Sequence, residues 1–330
     1  MSTPFTQPSP VLILCAALAV LLAFGTFGFW KRLSLRCGLM DEPGRRKIHR
    51  KPTSLAGGLT VLMAALPFCL YYFYTLPGGG GSLHWFWLGG LLAFFLLGLA
   101  DDYWELGPGV KFLFQLLLIG GLTTRIHFEF FASPAYGPTL NFALSFLWFG
   151  FILNSLNFLD NMNGLCAGLG GLLATAYFLA GSMLPGAQVL PVFLIFAAAL
   201  LAFLPWNYPK AKAFLGDSGS HLVGYLAATG SILLTNALLQ RAASEPGPVP
   251  MQTLLAFLPV LLMLSLPLYD LGSTFLIRLR NGRPIYVGDT NHISHRLVRK
   301  GLSPAAAVAA LWALCAATLA LSLLWISRGF

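Results

Sequence analysis

Residues 85–111 read WFWLGGLLAFFLLGLADDYWELGPGVK: sixteen uncharged positions, two adjacent carboxylates, a turn marked by Gly107-Pro108-Gly109, and a lysine that opens the next apolar run. The same alternation of apolar run and polar gap fills the chain. Crossing a hydrocarbon core roughly 30 Å thick takes about 20 apolar residues, and ten stretches approach that length: 11–30, 57–76, 85–100, 111–125, 139–157, 165–184, 187–205, 219–240, 251–277 and 303–326. The third and fourth are short, which predicts helix ends below the bilayer surface or incomplete crossing. Composition agrees, with 57% hydrophobic residues, only 9% charged and a mean hydropathy of +0.75. A soluble domain of this length would need far more charge to cover its surface. The fold class is therefore an all-α integral membrane protein of ten transmembrane helices, read as a single polytopic domain over residues 1–330.

Orientation follows from the basic residues. Of 20 Lys and Arg, 17 fall in the first, third, seventh and ninth gaps, and only Arg125, Arg241 and Arg328 lie elsewhere. The positive-inside bias puts those gaps in the cytoplasm and both termini outside. The uncharged opening MSTPFTQPSP lacks the basic flank of a cleavable signal peptide, so 11–30 reads as a retained span. The net charge of +9 is topology plus attraction to anionic headgroups and substrates, and no nucleic acid is expected. Five scattered cysteines without a CxxC pair predict no disulfide framework.

Nearly all the chemistry-bearing residues lie in the inner gaps. Asp101 and Asp102 end the third span, where the negative end of the helix dipole costs each charge about 0.3–1 kcal/mol; a divalent cation, Lys111 or a held proton would offset it. A simple helix stop is the alternative. In the fifth gap Asn154, Asn157 and Asn161 share a face if the helix continues, with Asp160 beside them. Amide pairing between helices explains them equally well. In the seventh gap Phe214-Leu-Gly-Asp217-Ser-Gly-Ser220 leads into the eighth span. Asp217 reads as an N-cap, or as the holder of a hard cation shared with phosphate oxygens at the helix N-terminus.

The ninth gap sets His292 and His295 three apart with Asp289 nearby, a spacing without a convincing third zinc ligand; phosphate binding or proton transfer suits it better. The first gap mixes Arg46, Lys47 and His49 with turn formers and ends in Gly57-Gly58, which reads as close backbone approach to another helix or to a ligand. Pro259, Pro267, Asp270 and Gly272 break the ninth span, and the resulting groove suits an isoprenoid chain.

Five such loops in this order, from about Asp41 to Gly301, resemble the polyprenyl-phosphate N-acetylhexosamine-1-phosphate transferase family. RRKIHRKPTSLAGG is similar to its RKxHxxPTPxxGG loop, NSLNFLDNMNGL to NxxNxxDGxDGL, and NHISHR to its HxHH stretch; LADDYWEL and FLGDSGS match closely. The resemblance implies transfer of a sugar 1-phosphate, most often N-acetylglucosamine 1-phosphate, from a UDP-N-acetylhexosamine to undecaprenyl phosphate. UMP is released, and magnesium is required, with manganese as a substitute. The setting it implies is the cytoplasmic face of a bacterial inner membrane, at the start of a cell-surface polysaccharide.

Carried over by motif, Asp217 and Asn157 would hold the metal, and Asp101, Asp102, Asp160, His292 and His295 would act at the reacting groups. Arg46, Lys47, His49, Gly57, Gly58, Lys111, Asn163, Asn207, Phe214 and Arg296 would bind substrate, with Phe214 stacking on uracil and Asn163 contacting it. Three departures stand out: Asn163 for the usual Asp, Ser294 for a common His, and Ser54-Leu55 for Pro and a basic residue. The His at position 294 is thus not essential here, and the absence of three consecutive His favours the O-antigen and teichoic-acid branch over the lipid I enzyme, phospho-MurNAc-pentapeptide transferase. Related enzymes are often dimers, so the resemblance allows a homodimer, while the sequence itself does not fix the oligomeric state. Direct attack by the lipid phosphate and double displacement through a carboxylate are both open. The reading from another class is a transporter or lipid flippase, for which Asp270 would be indispensable and Asp217 dispensable; the transferase reading reverses that order.

Overall fold

The computed structural model describes residues 8–42, 52–185, 187, 189–243, 249–282, 284 and 290–329. They form α1 (Pro10–Arg36), α2 (Gly57–Thr75), α3 (Ser82–Trp104), α4 (Pro108–Thr123), α5 (Gly137–Leu159), α6 (Leu165–Gly181), α7 (Phe193–Asn207), α8 (Gly216–Ala242), α9 (Val249–Met263), α10 (Ser265–Arg280), α11 (Ile293–Arg299) and α12 (Pro304–Arg328). Between α1 and α2, β1 (Met40–Asp41) pairs antiparallel with β2 (Thr53–Ser54). Local chemistry sets several ends. Pro10, Pro108 and Pro304 open their helices where no N–H is needed, and the hydroxyls of Ser9 and Ser303 accept from Leu12 N and Ala306 N. α3 stops at Glu105, whose φ of 47° is left-handed.

Among the described residues seven helices are long and apolar enough to cross a membrane, and α9 with α10 makes an eighth if the bent pair is one span. The protein is thus an all-helical, multi-pass membrane protein. Two expectations about the spans need correction. The third stretch is not short, because α3 runs 23 residues and carries Asp101 and Asp102 inside its last turn; α4 and α6, at 16 and 17 residues, are shorter apolar helices, and α7 reaches spanning length only with the 3-10 turn before it, as Leu190–Asn207. The ninth stretch breaks at Leu264, with a 76° bend between α9 and α10. Pro267 has no N–H for the carbonyl of Met263, which ends one helix and leaves Pro267 in the first turn of the next. Asp270 and Gly272 lie past the break, within α10.

α8 is the central helix, most of it buried. Its many Gly, Ala and Ser residues let neighbours approach closely, and its polar side chains bind across helices. Trp87 Nε1 donates to Thr229 Oγ1 at 3.0 Å, Trp148 Nε1 to Ser231 Oγ at 2.8 Å, and the Tyr225 hydroxyl to the Trp87 carbonyl at 2.6 Å. At one end of this bundle all five odd-numbered gaps meet. Phe214 N donates to Ser54 O at 2.8 Å, Gly164 N to Asn207 Oδ1 at 2.8 Å, Asp217 N to Asp102 Oδ1 at 2.6 Å, and Ser294 Oγ to Asn161 Oδ1 at 2.6 Å.

Candidate active site

The site is built around the start of α8. Asp217 is the second residue of that helix, and three other helices deliver side chains to it. Lys111, from the first turn of α4, lies 2.7 Å from Asp101 Oδ2 and 3.2 Å from Asp217 Oδ2. Asn157, in the last turn of α5, donates through Nδ2 to Asp217 Oδ1 and, at 2.8 Å, to Ser220 Oγ. Asp102 accepts from the backbone N–H of Asp217 at 2.6 Å and of Ser218 at 2.9 Å. The two acids that strain the dipole of α3 are thus answered differently: Asp101 by an ammonium, Asp102 by the positive end of α8. That arrangement revises one expectation. Two of the first amides of α8, those of Asp217 and Ser218, are taken by a carboxylate of α3.

Glycines make this approach possible. A Cβ at Gly98 would lie 2.3 Å from the Asp217 carbonyl oxygen. Gly216 has φ +76°, and a Cβ there would meet Asp102 Oδ2 at 2.7 Å. Gly57 and Gly58 serve the same packing. Their N–H groups donate to Phe214 O at 3.0 Å and Leu215 O at 2.9 Å, and a Cβ on Gly58 would meet Ser218 Oγ at 2.4 Å. The sequence left open a helix or a ligand as their neighbour; the structure gives them the start of α8.

Asp160 caps the C-terminus of α5. Loss of water, with the charges of Asp217, Asp102 and Asp41 nearby, pushes its carboxyl well above the usual carboxylate range. Asp101, Asp102, Asp160 and Asp217 therefore stand close together with Lys111 as the ammonium that touches two of them. This excess of hard anionic oxygens suits a divalent cation. Among the described residues no three His, Cys, Asp or Glu side chains form a protein-only metal site. The donor set instead fits magnesium, which takes one or two carboxylates and completes its shell with water and phosphate.

The helical face expected for Asn154, Asn157 and Asn161 does not extend that far, because α5 ends at Leu159. Asn154 Nδ2 folds back to Gly150 O at 2.8 Å, while Asn161 Nδ2 donates to Phe158 O at 2.7 Å and its Oδ1 receives the Ser294 hydroxyl. Asn163, half-buried, donates through Nδ2 to Pro209 O at 3.1 Å in a solvent-exposed bond, which leaves it at the edge of the cluster. Asn207, expected at the substrate, is buried, and its amide bonds Gly164 N and Ala213 O. It ties two loops together. Phe214 is half-buried beside β2, its N–H on Ser54 O.

A second group sits on α10 and α11. His292 is the N-cap of α11, and its Nδ1 is 2.7 Å from Asp270 Oδ2. Arg296 Nη2 donates to Ser273 Oγ at 2.8 Å and its guanidinium lies over the Tyr269 ring. Arg278, also buried, lies over Phe158. His295 is half-buried on the same short helix. Asp270 is therefore joined to the candidate site, and the expected contrast in which only Asp217 would matter does not follow from the geometry. Arg46, Lys47, His49 and Asp289 lie outside the described residues.

Three contributors were missed in the sequence. Gly98 lies three and four residues before the acidic pair, on its face of α3. Gln115 and His221 each follow a site residue, Lys111 and Asp217, by four positions, and so lie one turn deeper. His221 Nδ1 bonds Asp217 O at 2.7 Å and Nε2 bonds Gln115 Nε2 at 2.9 Å. Since a carbonyl only accepts and an amide nitrogen only donates, His221 is the neutral tautomer with its proton on Nδ1.

Comparison with known proteins agrees with this architecture. Residues 84–235 match the family described as Glycosyl transferase family 4, a span that runs from α3 into α8 and takes in Asp101, Asp160 and Asp217. A probable undecaprenyl-phosphate N-acetylglucosaminyl 1-phosphate transferase of Bacillus subtilis is 31% identical over 283 residues, 83% of this chain and 73% of that protein. A decaprenyl-phosphate N-acetylglucosaminephosphotransferase of Mycolicibacterium smegmatis is 30% identical over 326 residues, 91% and 79% of the two chains. A phospho-N-acetylmuramoyl-pentapeptide-transferase of Staphylococcus epidermidis is 28% identical over 230 residues, 63% and 70%. With relatives of that identity aligned over most of both lengths, the chain belongs to glycosyl transferase family 4.

Proposed function

We propose that this protein transfers N-acetylglucosamine 1-phosphate from its UDP-sugar to undecaprenyl phosphate, giving the lipid diphosphate sugar and UMP, at the cytoplasmic face of a bacterial inner membrane. The observation that carries the reading is the meeting of Asp101, Lys111, Asn157, Asp160 and Asp217 at one end of an apolar bundle. There a membrane-held acceptor and a water-soluble donor can reach the same point. The names of the relatives support the sugar and the lipid, and the bias of 17 basic residues toward this end supports its cytoplasmic side, with ten spans and both termini outside.

An oxygen of the lipid phosphate attacks the sugar-bearing phosphorus in line; a new P–O bond forms, the bond to the UMP phosphate breaks, and UMP leaves with the electron pair. Asp217 would hold magnesium, with Asn157 presenting its amide oxygen in place of the NH2 that donates to Asp217 in the ligand-free protein, and the ion would neutralise the donor diphosphate. Asp101 accepts the proton of the lipid phosphate. Lys111, His292, His295 and Arg296 take up charge that develops on the phosphoryl oxygens. Arg46, Lys47 and His49 belong to the same role, and Phe214 with Asn163 offers a stacking surface and an amide for the base.

The test is UMP release by the purified protein with undecaprenyl phosphate, magnesium and a panel of UDP-sugars. Asp217→Ala is expected to abolish turnover. Unchanged turnover in that variant overturns the site, and a preference for the UDP-MurNAc-pentapeptide overturns the branch. Transport reads differently from the start, since it predicts movement of a solute without UMP.

A further inference from the structure

Asp270 is a carboxylate inside the bundle with no solvent exposure, and the transfer chemistry does not call on it. Its two oxygens have separate partners. Oδ2 is 2.7 Å from His292 Nδ1, and Oδ1 accepts the Ile293 N–H at 2.6 Å. Ile293 is the first residue of α11, so that N–H is one of the donors a helix start leaves unmatched. One carboxylate thus fixes both the entry of α11 and the ring of its N-cap histidine. A third bond from the same face of α10 supports this arrangement: Ser273, three residues on, receives Arg296 from the next turn of α11.

We infer that Asp270 is a positioning residue for His292: the carboxylate receives the Nδ1–H and holds the ring with Nε2 turned to the phosphate groups, to which the imidazolium donates its second N–H. A carboxylate paired in this way accepts, so Nδ1 must donate. The choice of ring nitrogen is then set by α10. The His292 ring packs 6.3 Å from that of Phe158, and Ser294 Oγ donates to Asn161 Oδ1, the residue after Asp160, so α11 lies against the end of α5. This inference rests on the transferase reading, in which His292 touches substrate.

The alternative is that Asp270 only caps a short helix. Asp270→Asn separates the two, because the amide oxygen can still accept from Ile293 N while its NH2 offers the imidazole a donor where an acceptor stood. Four proteins are compared by UMP release: wild type, Asp270→Asn, His292→Ala and the double variant. Asp270→Asn is expected to lower kcat about 10- to 100-fold, the scale seen for partners that orient a functional histidine, with little change in KM for the UDP-sugar. In the His292→Ala background the same change should lower kcat by less than about 2-fold, since the residue it acts through is gone. Asp270→Glu, which keeps an acceptor, should recover much of the loss.

Equal losses in the two backgrounds would reduce Asp270 to a cap and overturn the inference, as would full turnover by Asp270→Asn or by His292→Ala. Thermal unfolding of each variant in detergent accompanies the kinetics. If Asp270→Asn does not fold, the cycle is run with Asp270→Ser, which removes the carboxylate, and the same equality decides. Failure of the transferase reading looks different: wild-type protein would then release no UMP from any donor in the panel, and the inference would fall with it.

Discussion

Gly98→Ala adds one methyl group at the tightest helix crossing of the site. The new Cβ would stand 2.3 Å from Asp217 O, 2.6 Å from Asp217 C and 2.7 Å from Ser218 Cα, all backbone atoms of α8. No side chain can swing aside, so α3 and α8 must part by about 1 Å to reach ordinary contact. Asp102 rides on α3 four residues further, and its 2.6 Å bond to Asp217 N would stretch by a comparable amount, past hydrogen-bonding range. Overpacking of this kind costs about 1–3 kcal/mol, and a 1 Å misplacement at a reacting centre costs on the order of 100-fold in rate. The expected result is a lower thermal midpoint and a drop in kcat for UMP release near that factor. Gly89→Ala, on the same helix with nothing within 4 Å of its Cβ, is the control and should keep full turnover. Wild-type kcat in Gly98→Ala would refute the claim that this backbone contact sets the site.

Asp160 holds its proton above the ordinary carboxylate range when folded, so its ionisation opposes folding as pH rises from the unfolded value toward the folded one. Asp160→Asn should therefore raise the thermal midpoint of the ligand-free protein more at about pH 8 than at about pH 5, and a gain independent of pH would contradict this. Ser294 is fully buried against Asn161, so Ser294→His should lower UMP release about 10-fold or more by overpacking. Adding Asn161→Gly should return part of it, and strict additivity of the two changes would count against the pairing. Lys111→Met leaves Asp101 and Asp217 facing each other without an ammonium, a loss of about 1–3 kcal/mol for partly buried groups stripped of their partner. Magnesium should then raise the midpoint of the variant more than that of wild type; equal shifts would mean that cation and ammonium do not share the place.

What could be read in the sequence was what depends on composition over long windows. Apolar length announced the spans, and the alternation of charge announced that Asp101, Asp160, Asp217 and His292 share one end of the bundle. The misreadings came where a partner distant in sequence decides a side chain's use. Asn207 carries the same amide as Asn157, yet one bonds loop backbone and the other reaches Asp217. Nothing local separates them. The shared face of Asn154, Asn157 and Asn161 assumed a helix through residue 161, and the chain turns at Asp160 instead. Gly98 is one glycine among 35, and only the identity of the helix it meets gives it weight. Gln115 and His221 were legible as four-residue echoes of Lys111 and Asp217, a spacing that the chemistry of single loops does not bring to notice.

The broken span explains why a carboxylate such as Asp270 can occupy an otherwise apolar stretch. A straight helix from Val249 to Arg280 would be about 48 Å long at 1.5 Å per residue, against a hydrocarbon core of about 30 Å. Its Asp270 would then stand some 15 Å from the charged end, inside the core, at a penalty that a single histidine on another element would have to meet there. The bend of 76° changes the arithmetic. With α9 along the membrane normal, its 15 residues rise about 22 Å, and the 16 of α10 add only about 6 Å because they run nearly sideways. Together they rise about 28 Å, close to one core thickness. Asp270, the sixth residue of α10, then lies only about 2 Å beyond the bend in that direction and about 4 Å short of the helix end. It is level with α11, where His292 and Ile293 N can satisfy it. The break at Leu264 is therefore the feature that lets α10 supply a buried acid to the reacting end of the bundle, and a change that straightened it would remove Asp270 and His292 from each other before it touched any residue of the α8 cluster.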